Sequence, residues 1–225
     1  MTKRLITVCC IVAVALLAFS GCATGGREKT TAEQAKPTAE QTKPTPEQAK
    51  PIAEQAKPTP EELKLPKFVL RVNCAALEPY TDQAGNVWLA DQLAEADKTW
   101  GAVAGMTADR GELSIAGTDA PKVYQTERYS MEAYKFAVPN GAYTVRLHFA
   151  ETYDGITGDG QRVFSVAVNG QPVLKDFDPY KEAGGFQKPV VKTIKSVVVT
   201  DGQLVIAFTA NVQNPEINGI EILSE

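Results

Sequence analysis

From Gly141 to Tyr153 the chain reads GAYTVRLHFAETY, and its large apolar residues fall on alternate positions. Tyr143, Val145, Leu147 and Phe149 share one side of an extended chain while Thr144, Arg146 and His148 share the other, the period of a strand with one buried face. A Pro139-Asn140-Gly141 turn precedes this strand. Glu151, Thr152 and Tyr153 lead out of it into a Gly/Asp-rich loop, so the strand carries a polar and aromatic tip to a loop edge, where sheet proteins place their binding sites. Further strands are predicted over Phe68 to Ala75, Val123 to Tyr129, Glu132 to Val138, Arg162 to Val168, Pro172 to Phe177, Val190 to Thr200, Leu204 to Ala210 and Asn218 to Leu223. Asn169-Gly170 and Asp201-Gly202 mark tight turns between some of them. One short helix is expected near Leu89 to Ala96. Many strands joined by tight turns predict an all-β fold, an antiparallel β-sandwich or jelly roll.

The pattern is different before residue 67. Lys3 and Arg4 precede an uncharged apolar run from Leu5 to Ala18, which is short for a membrane span and shaped like a secretory signal. Phe19-Ser20-Gly21-Cys22 then resembles the lipobox of bacterial lipoproteins, with Phe19 in place of the usual Leu, so residues 1–21 are expected to be cleaved and Cys22 to be acylated. Acyl chains on Cys22 would anchor the protein to a membrane without a spanning helix. Ala23 after the cysteine, rather than Asp, implies sorting to the outer membrane of a bacterial envelope. From 22 to 66 Glu33, Glu40, Glu47, Glu54 and Glu61 recur every seven residues. This is a heptad without a coiled coil, because Pro37, Pro44, Pro51 and Pro58 recur with it and almost nothing large and apolar is available for a seam. Seven Lys/Arg balance seven Asp/Glu between Ala23 and Pro66, so the segment reads as a disordered, solvated tether.

Residues 67–225 are enough for one sizeable core, and one domain is expected. They carry 14 Lys/Arg against 20 Asp/Glu, a net charge of −6 with no basic cluster, which excludes nucleic acid and anionic lipid as natural partners of the domain. Once Cys9 and Cys10 leave with the signal and Cys22 is acylated, Cys74 is the remaining thiol, so the fold depends on its core rather than on a disulfide. Cys74 reads as a small buried residue. His148 has no serine or cysteine motif beside it and reads as structural or surface-facing rather than as a base. The run Asp154 to Gly160 lacks the spacing of a calcium loop and reads as a flexible turn. Asp176 and Asp178 read as solvated or turn-forming. Walker, Rossmann and metalloprotease patterns are missing, so no cofactor, metal or catalytic residue is assigned.

Several blocks occur in order: Asn73 with Tyr80, Asp82, Gly85, Trp88 and Asp91; Tyr124-Gln125-Thr126-Glu127-Arg128-Tyr129; Leu147-His148-Phe149-Ala150-Glu151-Thr152-Tyr153; Arg162-Val163-Phe164; Val168-Asn169-Gly170; Lys175-Asp176-Phe177-Asp178; and Asn214-Pro215-Glu216. Together they resemble the malectin domain family across nearly all of 67–225. The resemblance implies a β-sandwich that binds carbohydrate, related in its animal form to recognition of glucose disaccharides and in bacteria often attached to polysaccharide-acting enzymes. It places sugar-contacting tyrosines at Tyr129 and Tyr153. The family's next aromatic falls on Asp154, its acidic residue before Asn-Pro falls on Gln213, and a further tyrosine falls on Ala104, so the animal sugar preference does not carry over. Trp100 has two readings, a substitute platform in the Ala104 loop or an aromatic packed beneath it. A neutral sugar offers C–H faces and a ring of hydroxyls, which calls for aromatic surface beside groups that donate and accept hydrogen bonds. The expected function is therefore a lipid-anchored, non-catalytic module recognising a glycan. An envelope protein–protein adaptor and a glycoside hydrolase remain as alternatives.

Overall fold

The computed structural model describes residues 67–225; the expected signal segment, Cys22 and the repeat tether lie outside the described residues. Two sheets pack face to face. In spatial order the first contains β2 (Tyr80–Thr81), β3 (Val87–Ala90), β1 (Val69–Asn73), β12 (Gly219–Ser224), β6 (Gly141–Phe149) and β9 (Val190–Val199). The second contains β11 (Glu216–Ile217), β5 (Thr126–Ala137), β10 (Gln203–Val212), β7 (Val163–Val168) and β8 (Gln171–Phe177), with β4 (Trp100–Asp109) along the other edge of β5. Pairing between these strands is antiparallel except between β1 and β3. The chain is thus an antiparallel-rich β-sandwich, as its pattern of strands and turns predicts.

The alternation in β6 does what its period requires. Tyr143, Val145, Leu147 and Phe149 are each at most 2% exposed and face Phe164, Val166 and Val168 of β7 and Leu204 and Ile206 of β10 in one continuous core. Phe149 meets Phe164 at 5.8 Å and Phe177 at 4.8 Å between ring centroids, and Phe164 also meets Phe177 at 5.5 Å. These tilted and edge-on rings join the two sheets, each pair contributing roughly 0.5–1.5 kcal/mol beyond the area it buries. Cys74 lies wholly within this core. Burial, with the Asp91 carboxylate nearby, pushes its thiol well above the ordinary range, the environment of an inert cysteine.

Four stretches depart from the sequence reading. The helix expected near Leu89 to Ala96 is instead the end of β3 followed by extended chain, because Asp91 is held in place by other parts of the fold. Its Oδ2 accepts hydrogen bonds from the Ala75 amide at 2.6 Å, Arg128 Nε at 2.7 Å and the Tyr134 hydroxyl at 3.0 Å. The two strands expected over Val123 to Val138 are one, β5, entered through a 3-10 turn at Pro121–Gln125 and carrying Ser130 at a φ of 59°. Strand β4 was not expected at all: Gly101, Ala102, Ala104, Gly105 and Ala108 offer too little bulk for a period-two signal. Its opening needs that smallness, since a Cβ at Gly101 would lie 2.5 Å from the backbone of Leu93 and Ala94. Finally, Pro179–Ala183 form a one-turn helix, α1, with Asp178 accepting from the Lys181 amide at its start and Gly184 closing it at a φ of 74°.

His148 is structural. It lies on the outer face of its sheet yet is 7% exposed, sealed under the Trp88 edge at 5.1 Å, with Nδ1 at 2.8 Å from the Tyr124 hydroxyl and Nε2 at 3.0 Å from Glu221 Oε1. Glu221 also accepts from Arg71 Nε at 2.8 Å. Burial pushes this carboxyl up, but the hydrogen bonds and charges of His148 and Arg71 outweigh it and hold its pKa down at about 2.

Candidate functional site

A cleft of about 340 Å³ opens where β4 and β5 meet the loop after β6. Period two places Glu127 and Tyr129 on one face of β5, and the antiparallel register sets Glu216 of β11 directly opposite Tyr129. Ala108 and Arg110 supply one wall at the end of β4, Tyr153 comes from the loop after β6, and Gln213 and Asn214 approach from the turn before β11. Gln213 sits at a φ of 59°, so the chain doubles back there and turns both amide side chains outward.

The two tyrosines differ in setting. Tyr129 is half-buried, with its hydroxyl 3.7 Å from Met106 Sδ, a weak contact that leaves the phenol available to a ligand. Tyr153 is 40% exposed and is held from two directions. The Arg110 guanidinium lies over its ring at 5.3 Å from the centroid, and the ring packs so closely on Gly155 that a Cβ there would be 2.4 Å from it. Tyr153 therefore presents its edge and hydroxyl more than a bare face.

Beneath the cleft is a network of charges. Arg110 Nη2 donates to Glu127 Oε1 at 2.5 Å, and Thr152 Oγ1 donates to Glu127 Oε2 at 2.6 Å. Arg162 donates through Nε to Glu151 Oε2 at 2.6 Å, through Nη2 to Glu151 Oε1 at 3.4 Å, and through Nη1 to the Asn214 carbonyl at 2.6 Å. The last bond fixes the Gln213-Asn214 wall to the sandwich. Glu151 also accepts from the Tyr153 amide at 3.0 Å. Consecutive residues Glu151, Thr152 and Tyr153 therefore connect Arg162, Glu127 and the aromatic wall. Glu216 is fully buried, and neither of its carboxyl oxygens has a partner among the described residues. Burial pushes it well above the usual carboxylate range, and the neighbouring Glu127 and Glu151 push the same way. Glu151 is also raised, by burial that its bonds to Arg162 offset only in part. Arg110 and Arg162 thus meet three acidic side chains at this end of the sandwich, Glu127 and Glu151 paired with them and Glu216 without a partner among the described residues.

Of the residues singled out in the sequence, Tyr129, Tyr153 and Gln213 are brought together on this cleft. Asp154 is not: it lines a separate depression with Ile156, Thr157, Tyr180 and Phe186. Ala104 is exposed in the middle of β4 at a φ of 60°, outside the cleft lining. Trp100 opens β4, at the far end of the strand from Arg110, and stacks on Phe136 at 6.1 Å. Asp178 is buried, capping α1 and accepting from the Gly160 amide at 2.5 Å, which ties down the Asp154–Gly160 loop; Asp176 is exposed and accepts from Asn211. Among the described residues no group of three or more His, Cys, Asp or Glu side chains is placed to hold a metal ion. Sequence reasoning missed Arg110, Glu127, Arg162 and Asn214. All but Arg110 lie inside the blocks quoted above, but a charge in a strand reads as a solvated position until its partner is known.

The malectin domain matches residues 68–220. The chain belongs to the malectin domain family. Mouse malectin is 32% identical over 117 residues, covering 45% of this chain and 40% of that protein. A probable LRR receptor-like serine/threonine-protein kinase of Arabidopsis thaliana is 40% identical over 93 residues, 38% of this chain but 9% of that one. The matched segment is thus a minor part of several relatives, and the chain spans well under half the length of the curated proteins it matches. Among solved structures, a Bacteroides uniformis beta-glucuronidase superposes with a TM-score of 0.63 at 24% identity, over 70% of this chain and 18% of that enzyme, a likeness of fold alone. The plant receptor-like kinase FER gives a TM-score of 0.56 at 25% identity, over 70% of this chain and 42% of that one.

Proposed function

We propose that this malectin domain is a non-catalytic glycan-binding module and that the cleft between Tyr129, Tyr153 and Gln213 is its sugar site. The observation that carries the reading is the lining itself. Two phenols, two amide side chains and two guanidiniums surround a space suited to a small oligosaccharide, and Glu127, the carboxylate of the lining, is occupied by Arg110 and Thr152. Glycoside hydrolysis needs two carboxyl groups facing each other across the scissile bond. A carboxylate locked in an ion pair at 1% exposure is poorly suited to either role, which favours binding over cleavage. As part of the same proposal, acylation of Cys22 anchors the module to the outer membrane of a bacterial envelope and the 22–66 segment holds it away from the bilayer.

The test is a glycan array probed with the full chain, followed by calorimetry on each hit. Tyr129→Ala and Tyr153→Ala are each expected to weaken binding roughly tenfold while leaving thermal unfolding near that of the parent. Parent-like affinity in both variants would move the site elsewhere. One observation favours an adaptor as the second reading. A wider groove on the opposite side of the β4 end contains Tyr80, Pro79 and Leu77, the last 91% exposed, a surface better suited to an apolar protein segment than to sugar. If the array is silent, binding of a protein partner that Leu77→Asp abolishes would establish that reading.

A further inference from the structure

The glycan reading leaves open which class of sugar the cleft takes, and the hydrogen bonds already committed inside it narrow the answer. Arg162 is largely committed: Nε and both Nη atoms are each bonded, to Glu151 and to the Asn214 carbonyl, and its side chain is 5% exposed. Both Glu127 oxygens are likewise engaged. Arg110 is different. Among the described residues only its Nη2 has a partner: Nε is buried with none, and Nη1 makes no hydrogen bond and stays open to solvent. The side chain is 25% exposed, whereas the Glu127 carboxylate behind it is 1% exposed, so a ligand entering the cleft meets the guanidinium before it meets any carboxylate.

Neutral sugars are usually gripped by acceptors, because each hydroxyl has a proton to give, and a carboxylate spanning two neighbouring hydroxyls is the strongest acceptor a protein has. The position that the malectin resemblance would make acidic is Gln213 in this chain, and it lines the same cleft. The amides and phenols can each donate and accept, but the Gln213 Oε1 already accepts from the Asn214 amide at 3.3 Å, so the Arg110 N–H groups tip the free polar groups toward donors. A planar guanidinium braced on one side by Glu127 and stacked over the Tyr153 ring at 5.3 Å cannot swing away, so its open edge is preorganised. The groups that suit such an edge are carboxylates, which accept parallel N–H bonds in its plane. The domain's net charge of −6 opposes an anion at long range, but charges more than about 8 Å away are largely screened at physiological ionic strength.

We propose that the cleft prefers a sugar bearing a carboxylate, a uronic acid, over the neutral sugar of the same stereochemistry, and that the open edge of Arg110 is the group that recognises it. This rests on the cleft being a glycan site. The experiment is calorimetry of the full chain with matched pairs: glucuronate-, galacturonate- and mannuronate-containing oligosaccharides, each against the same oligosaccharide after carboxyl reduction. The acidic member of at least one pair is expected to bind about tenfold or more tightly than its reduced partner, with the advantage shrinking between 50 and 500 mM salt. Arg110→Gln should remove the discrimination. Because that variant also strips Glu127 of its partner and risks loss of fold, Gln213→Asp provides an independent check. It alters an exposed residue, restores an acceptor to the cleft, and should move preference toward the reduced member. Equal or tighter binding of the reduced members would overturn the proposal and leave the glycan reading intact. No binding by either member of any pair, together with silence on the broad array, would overturn both.

Discussion

Arg162 is the residue on which the cleft wall and the sandwich most clearly depend, and Arg162→Met tests that dependence. Methionine retains much of the apolar stem but removes three hydrogen bonds, two to Glu151 and one to the Asn214 carbonyl. It leaves Glu151, at 0% exposure, with the Tyr153 amide and no counter-charge. Breaking a buried ion pair from one side costs roughly 3–5 kcal/mol. In a domain of this size each kcal/mol moves Tm by roughly 2–4 °C, so a fall of about 6–20 °C is expected. The loss has a pH signature. Burial already holds the Glu151 carboxyl above its ordinary value, and removing Arg162 raises it further. A group raised on folding contributes stability in full below its unfolded pKa and loses that contribution as pH rises through the folded one. The variant should therefore be closest to the parent near pH 5 and furthest from it near pH 8, measured by urea unfolding at both. Adding Glu151→Leu to Arg162→Met removes the stranded charge and should recover at least half of the loss, since an apolar replacement of a buried pair is often neutral. A single variant within about 1 kcal/mol of the parent, or a double variant no better than the single, would refute the view that this pair holds the wall.

Three other outcomes follow from the same geometry. Gly155→Ala puts a methyl where the Tyr153 ring lies, 2.4 Å away; Gly155 is exposed and the backbone can stay as it is, so glycan affinity should fall severalfold with Tm nearly unchanged, and unaltered affinity would mean that Tyr153 is not a contact. Glu221→Gln removes a carboxyl that burial would raise but that His148 and Arg71 hold at about 2 against an ordinary 4.5. A group lowered on folding stabilises above its unfolded pKa and loses that as pH falls through the folded one, so the parent should lose roughly 3 kcal/mol between about pH 5 and pH 2 that the variant does not, which acid titration of urea midpoints would measure. Glu216→Gln replaces a buried, unpartnered carboxyl raised by burial and by Glu127 and Glu151 with a neutral group of its shape. The parent's contribution from Glu216 is lost as pH rises, so the stability of the variant relative to the parent should grow between pH 5 and pH 9, and a constant difference would show that Glu216 does not titrate in that range.

The fold was legible wherever bulk alternates. β6, β7 and β10 each place large apolar residues two apart, and each buries that row in the core. β4 was not legible, because what it contributes to the sheet is closeness: Gly101 nearly touches the Leu93–Ala94 backbone, and no large side chain marks the period. The expected helix near Leu89 failed for a related reason. Local propensity cannot register that Asp91 will collect an amide from the turn after β1 and a guanidinium and a phenol from β5, 16 to 43 positions away.

The candidate site was half legible for a different reason. Period two sorts the residues of a strand into core and solvent, and a charge is assigned to solvent by default. Glu127, Glu151, Arg162 and Glu216 belong to neither class: they are charges covered by loops at the end of the sandwich, and their neighbours are 11 to 89 positions away in the chain. Tyr129, Tyr153 and Gln213 could be named from family resemblance because each contributes its own surface. What the cleft can bind depends on subtraction. Glu127 is an acceptor with both oxygens engaged, Arg162 a buried donor with all three nitrogens bonded, and Arg110 a donor with an open edge. Composition would count these three only as one negative and two positive charges. Only pairing shows that the remainder presented to a ligand is a donor, and that remainder, rather than the inventory, is what a sugar would meet.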